Sequence, residues 1–154
     1  MPQMVAHYVE VYPFRVLRDS VEYLLLLRSP HESLYPGMWQ VVTGTCENGE
    51  TAVQAAKREF AEETGLRPAR WWVVPRLNAF YDIARDSVNL SPAFACQLDP
   101  EAEPVLSGEH SAWRWLQRKE AARLLVWPGQ REGLTVVEEY IVAGQKASEL
   151  LRLP

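Results

Sequence analysis

The chain has 154 residues, 47% of them hydrophobic, and carries a net charge of −4 at pH 7. That length and apolar content predict one globular domain over residues 1–154, and the acidic balance excludes a non-specific nucleic-acid binder, which needs a basic face for phosphates. With no run of about 18 apolar residues, no basic region ahead of an apolar stretch in residues 1–14 and two cysteines without framework spacing, a soluble cytoplasmic protein is expected.

In chain order, Tyr8 to Leu17 and Val21 to Arg28 are rich in aromatic, β-branched and leucine residues and predict a hairpin turning at Arg18-Asp19-Ser20. Ser29 to Met38, with Pro30, Pro36 and Gly37, reads as a loop, and Trp39 to Thr43 as a short strand. A helix from about Ala52 to Thr64 follows from the capping-box spacing of Thr51 and Gln54, an interior free of Pro and Gly, and Gly65 as its left-handed terminator. Arg70 to Leu77 and Val88 to Leu98 are strand candidates, the second interrupted by Pro92. Asp99 to Gly108 is a surface loop, Ser111 to Leu116 a short strand and Lys119 to Leu125 a short helix. Gly133 to Leu151 reads as a longer helix with Leu134, Val137, Ile141 and Leu150 on its apolar side. Such an order permits a sheet covered by helices on two faces.

Residues 44 to 66 carry the chemistry. Gly44, Glu50, Arg58, Glu59, Glu62, Glu63 and Gly65 stand at fixed offsets, with apolar Phe60 among them and apolar Leu66 directly after. At roughly 6% background usage each, that combination arises by chance at odds on the order of 10^-7, so the spacing demands a cause. On a helix, Glu59, Glu62 and Glu63 fall within about 100° of one another, beside an apolar stripe of Val53, Ala56 and Phe60, while Gln54, Lys57, Arg58 and Ala61 take the far side. Like charges at these spacings cost a helix a few tenths of a kcal/mol per pair, and a hard divalent cation such as Mg2+ or Mn2+ resolves the conflict. Zinc is disfavoured, because His7, His31, His110, Cys46 and Cys96 have no ligand-type spacing. Arg58 supplies an internal counter-charge for Glu50 or a neighbouring carboxylate.

At every fixed position this segment resembles the 23-residue box of the Nudix hydrolases. The resemblance implies an α/β fold, an α/β/α sandwich around a mixed β-sheet, and hydrolysis of a nucleoside diphosphate linked to another group. Carried over position by position, it implies Glu59, Glu62 and Glu63 as metal ligands, with the carbonyl of Thr43 as a further oxygen, and Glu50 and Arg58 as their supporting pair. Glu109, in the loop before the strand at Ser111, is where this family often places an additional acid, so the base is either Glu59 or Glu109. The runs from Trp39 to Glu50 and from Gly108 to Ala121, with their Trp-Gln, Val-Thr-Gly and Glu-His steps, are similar to the bacterial dihydroneopterin triphosphate (dATP) pyrophosphohydrolases. That likeness implies a nucleoside or pterin triphosphate substrate, with Mg2+ as cofactor and Mn2+ able to substitute. For substrate binding, Trp39 and Tyr81 are candidates to stack a ring, and Arg28 to clamp phosphate. Dinucleoside polyphosphates and ADP-ribose are alternative substrates in the same chemistry. A non-catalytic nucleotide-binding domain is less expected, since such proteins typically lose one of the three glutamates, and an isomerase lacks its cysteine and glutamate pair.

Overall fold

The computed structural model describes residues 1–154. Eight strands form one mixed sheet: β1 (Gln3–Val5), β2 (Tyr8–Val16), β3 (Val21–Arg28), β4 (Trp39–Gln40), β5 (Val42–Thr45), β6 (Arg70–Asp82), β7 (Ser87–Leu98) and β8 (His110–Leu116). β2 is central: it pairs antiparallel with β3 and β5 and parallel with β7, while β7 also pairs with β6 and β1. β3 carries β4 and β8 antiparallel. Four helices cover the sheet: α1 (Ala52–Thr64), α2 (Arg118–Leu124), α3 (Pro128–Val137) and α4 (Gln145–Leu151).

Alternation along the strands sorts the core into two layers, as the two-residue period of a strand requires. Val9, Val11, Leu24, Leu26, Val42 and Phe94 face Ala55, Ala56 and Phe60 of α1. Tyr12, Phe14, Tyr23, Leu25, Val41 and Ala95 face Leu134, Val137 and Ile141 on the opposite side. The result is an α/β/α sandwich, as the box implies, and no helix is long and apolar enough to cross a membrane.

Several boundaries differ from the sequence reading, each for a physical reason. The strand expected over Trp39 to Thr43 is two pieces pairing with different neighbours, β4 with β3 and β5 with β2. The strand expected to end at Leu77 runs on to Asp82, because a register shift between Val73 and Leu77 absorbs Pro75 and the pairing with β7 resumes beyond it. Pro92 lies inside that ladder opposite Leu77 rather than ending it. β1, which has no sequence signal beyond three residues, adds in parallel to β7.

The C-terminal helix is not continuous. It begins early, at Pro128, whose missing N–H is no loss in a first turn. After Val137 it widens into a π-helical turn, Glu138–Val142, closed by the Ala143 N–H donating to Glu138 O at 2.9 Å. At Gly144 the carbonyls of Glu139 and Tyr140 come so close that a Cβ would sit 2.7 Å from each, and the chain restarts as α4. Leu150, expected on the apolar side, is 74% exposed in consequence.

Candidate metal and catalytic site

The ends of α1 are set locally. The Thr51 side chain accepts the Gln54 N–H at 3.2 Å, Gln54 accepts the Thr51 N–H at 2.9 Å, and Gly65, at φ 67°, donates its N–H to Ala61 O. These caps satisfy backbone groups that would otherwise lack partners and fix where the helix starts and stops. The face of α1 bearing Glu59 then lies against β5. A Cβ on Gly44 would fall 2.1 Å from Glu59 Cγ and 2.7 Å from its Cβ, so only glycine lets the strand approach this carboxylate. Replacing Gly44 by Ala is expected to destabilise the protein by about 1 to 3 kcal/mol through overpacking, read by urea denaturation. An unchanged denaturation midpoint would contradict this close approach.

Arg58 starts from the far side of the helix, and its long side chain turns back across the carboxylates to act as the counter-charge expected for Glu50. Nε and Nη2 donate to the two oxygens of Glu50 at 2.8 and 2.9 Å, a bidentate fork that holds the Glu50 carboxyl down to about 2. Nη2 also donates to Thr45 O at 2.9 Å, and Nη1 reaches Glu59 Oε1 at 3.0 Å and Glu62 Oε2 at 3.3 Å. One guanidinium therefore ties the end of β5, the loop glutamate and α1 together. Glu59 accepts a further N–H from Thr45 at 3.2 Å; burial nonetheless raises its carboxyl above the ordinary value. Both donors act on Oε1, leaving Oε2 free of them.

The three glutamates occupy different environments: Glu62 is exposed, Glu59 half-buried and Glu63 only 4% exposed. Glu63 Oε2 is buried with no hydrogen-bond partner. Burial pushes this carboxyl up to about 9, with the negative charges of Glu109 and Glu59 adding to the rise and Arg28 opposing it. A comparison inside the same protein shows what is unusual. Glu10 is equally buried, but it accepts the Tyr12 hydroxyl at 2.8 Å and the Asn78 amide at 2.6 Å. Burial alone is thus compatible with a fully partnered carboxylate, and Glu63 lacks the partners.

Facing Glu63 are His110, the first residue of β8, and Glu109 immediately before it. One oxygen or nitrogen each from Glu63, Glu109 and His110 lie within 4.8 Å of one another. Glu109 was a candidate from the family resemblance, while His110 reads from the sequence as a hydrogen-bonding loop or core histidine. Its place beside Glu63 depends on the β3–β8 pairing, in which Arg28 registers with His110, and no local spacing announces it. This donor set fits a divalent cation: carboxylate oxygens that repel one another, one of them buried without a donor.

The substrate-binding candidates are more dispersed. Arg28 donates to Leu34 O at 2.7 Å and meets Glu32 at 3.4 Å, so it pins the 29–38 loop while its charge acts on Glu63 and His110. Trp39 packs on the core layer away from α1; its neighbour Gln40 is the residue that contacts His110. Tyr81 is 55% exposed and donates its hydroxyl to Asp86 at 2.8 Å, in the β6–β7 hairpin. None of the three shares a hydrogen bond with a box residue.

A NUDIX domain model matches residues 9–136, which includes the whole glutamate box, Glu109 and His110. The chain belongs to the Nudix family. Over 116 residues, 71% of this chain, it is 37% identical to an octanoyltransferase of Myxococcus xanthus, of which the match covers only 30%. It is 28% identical over 138 residues to the dihydroneopterin triphosphate diphosphatase of Escherichia coli K12, covering 81% of this chain and 86% of that protein. The solved structure of the E. coli dihydroneopterin triphosphate pyrophosphohydrolase superposes with a TM-score of 0.69 at 26% identity, covering 90% of this Nudix chain and 99% of the other.

Proposed function

We propose that this Nudix pyrophosphohydrolase is a cytoplasmic enzyme that uses Mg2+, or Mn2+ in its place, to hydrolyse a phosphoanhydride of a nucleoside or pterin triphosphate, releasing pyrophosphate and a monophosphate. The observation that carries the reading is Glu63: a carboxylate buried without a donor, beside Glu109, at the end of a complete glutamate box. The triphosphate substrate is supported by the Trp39-Gln40 and Glu109-His110 steps and by the relative from E. coli, which matches across most of both chains.

In this reading Glu62, Glu63, Glu109 and the carbonyl of Thr43 hold the cation, and Glu59 adjoins them. When bound, the divalent ion supplies the positive charge that lets a polyphosphate enter an acidic cleft and that stabilises the leaving phosphate. The chain's own residues do the rest. Arg58 fixes Glu59 through Oε1, which leaves Oε2 to accept the proton of the attacking water. Glu50 holds Arg58 in turn. Arg28, whose charge acts on Glu63 from β3, is the candidate to meet phosphate, and the exposed ring of Tyr81 the candidate to meet the heterocycle, while Trp39 packs on the opposite layer.

A panel of dNTPs, dihydroneopterin triphosphate, ADP-ribose and diadenosine polyphosphates, assayed with Mg2+ and with products identified, tests the proposal. Pyrophosphate with a monophosphate from one of the triphosphates is expected. The Glu59→Gln variant is expected to lower that rate by about 10^2-fold or more with unchanged circular dichroism, the scale of a lost general base. Hydrolysis confined to ADP-ribose or diadenosine polyphosphates would replace the substrate assignment, and no hydrolysis of any panel member would overturn the activity.

A further inference from the structure

Five of the six tryptophans pack in or against one of the two core layers, and Trp127 does not. It is 43% exposed at the start of α3, held extended by the proline that follows it, and its side chain caps no amide of the helix. Its aromatic partner is Tyr35, 45% exposed, whose ring meets the indole edge to face with centroids 5.4 Å apart. Tyr35 has φ 51°, a left-handed conformation that is unfavourable for a bulky side chain. The surrounding loop imposes it. Arg28 O accepts the Gly37 N–H at 3.0 Å, Met38 O accepts the Arg28 N–H at 2.8 Å, and Leu34 O accepts the Arg28 side chain at 2.7 Å. A strained backbone thus holds one half-exposed ring against another, outside both core layers, and each keeps more than two-fifths of its surface open.

Both rings are tied to the carboxylate site. Ser29, where the loop begins, donates its N–H to Glu109 O at 2.8 Å, and Leu34, the residue before Tyr35, receives the Arg28 guanidinium whose charge acts on Glu63. On the other side, Gly129 stands two residues beyond Trp127, so close to Asn78 that a Cβ would fall 2.1 Å from Asn78 Oδ1. Asn78 donates to Glu10 at 2.6 Å, and Glu10 registers with Thr43 beside Gly44. The pair therefore bridges two walls that each lead back to the glutamate box. We propose that Tyr35 and Trp127 form the platform on which the flat heterocycle of the substrate stacks while its phosphates lie at the carboxylates. The inference rests on the triphosphate reading and shifts the stacking from Tyr81, whose hydroxyl bonds within its own hairpin, to this pair. Every heterocycle has a π-face, so such a platform selects by ring area and accepts purines and pterins alike, ahead of pyrimidines.

Titration calorimetry of the protein in Mg2+ with α,β-methylene dATP, whose bridging carbon resists hydrolysis, reads binding alone. Trp127→Ala is expected to weaken it about 5- to 150-fold, the range for loss of one stacked aromatic, and Trp127→Phe, which keeps a ring, by much less. Tyr35→Ala acts in the same direction. Inorganic tripolyphosphate, which has no heterocycle, should bind no more weakly to the variants than to the parent. In dATP turnover the alanine variants should raise KM while kcat stays within about threefold. Analogue binding by both alanine variants within about twofold of the parent would overturn the proposal. So would equal losses for the analogue and tripolyphosphate, or a fall in kcat without a rise in KM, because either marks a pair that merely anchors the loop. The parent separates the two levels: if it hydrolyses no triphosphate, the substrate reading falls and the platform with it. A parent that turns over dATP beside variants with unaltered binding defeats the platform alone.

Discussion

Replacing Glu63 by Gln is expected to make the metal-free protein more stable at pH 8 to 9 while lowering turnover by at least about 10^2-fold, the scale set by lost groups at a reacting centre. The folded metal-free protein holds the Glu63 carboxyl up to about 9, against an ordinary value of 4.5. Between those values the folded state binds a proton that the unfolded state does not, so stability falls as pH rises through that window. The slope cannot exceed about 1.4 kcal/mol per pH unit for one group. Glu59, also raised, adds to the fall. His110 acts in the opposite sense on the acid side: its value is pushed down to about 4 by burial, with Arg28 contributing, so its stabilisation is present above about 6.5 and lost towards 4. Thermal melts between pH 7 and 9 with chelator present isolate the Glu63 contribution. The parent should lose stability across this range and regain it with Mg2+, because an ion that binds only the folded state stabilises it by mass action. Glu63→Gln should show a flatter profile and no response to Mg2+. Parallel profiles for the two proteins would refute the buried, unpartnered carboxylate.

The second large effect is expected at Arg58. Lysine keeps the charge but has no planar fork, so Arg58→Lys gives up the bidentate hold on Glu50 together with the bonds to Thr45 O and Glu59. Glu59 is then free to leave Gly44, and a displacement of about 1 Å at a reacting group costs on the order of 10^2-fold in rate. The measurement is kcat at saturating Mg2+ with circular dichroism as a control for folding. A folded Arg58→Lys protein within about threefold of the parent rate would show that the fork does not position Glu59.

What the sequence announced and what it concealed divide along contact range. Helix α1 was legible to the residue, because its start, stop and acidic face depend on partners three or four positions away: Thr51 with Gln54, Gly65 with Ala61. Its face towards Gly44 was legible only through the family box. The row of Gln40, Glu63 and His110 was not, since it exists only once β4 and β8 have both paired with β3. Arg58 sits on the far side by its Cβ, yet its role as counter-charge to Glu50 was legible, because a side chain of four rotatable bonds can carry its charge back across the helix. Pro92 misled for a related reason. It suggests a break to a reader of single strands, but the ladder continues past it opposite Leu77. At Gly144 the break arises from carbonyl crowding at the end of a π-helical turn, which hydrophobic spacing does not encode.

The two locked ends of α1 also say where this protein can tolerate changes in length over evolution. With Thr51 and Gly65 both anchored, a residue deleted between them turns everything on one side of the deletion by about 100° relative to the other. Glu63 would swing away from Glu59 and off the buried edge, and no adjustment of rotamers returns it. An extra residue among Glu47 to Gly49 merely lengthens an exposed turn whose two sides are already cross-tied by Arg58. Insertions and deletions should therefore survive in the loop and be lethal to activity in the helix.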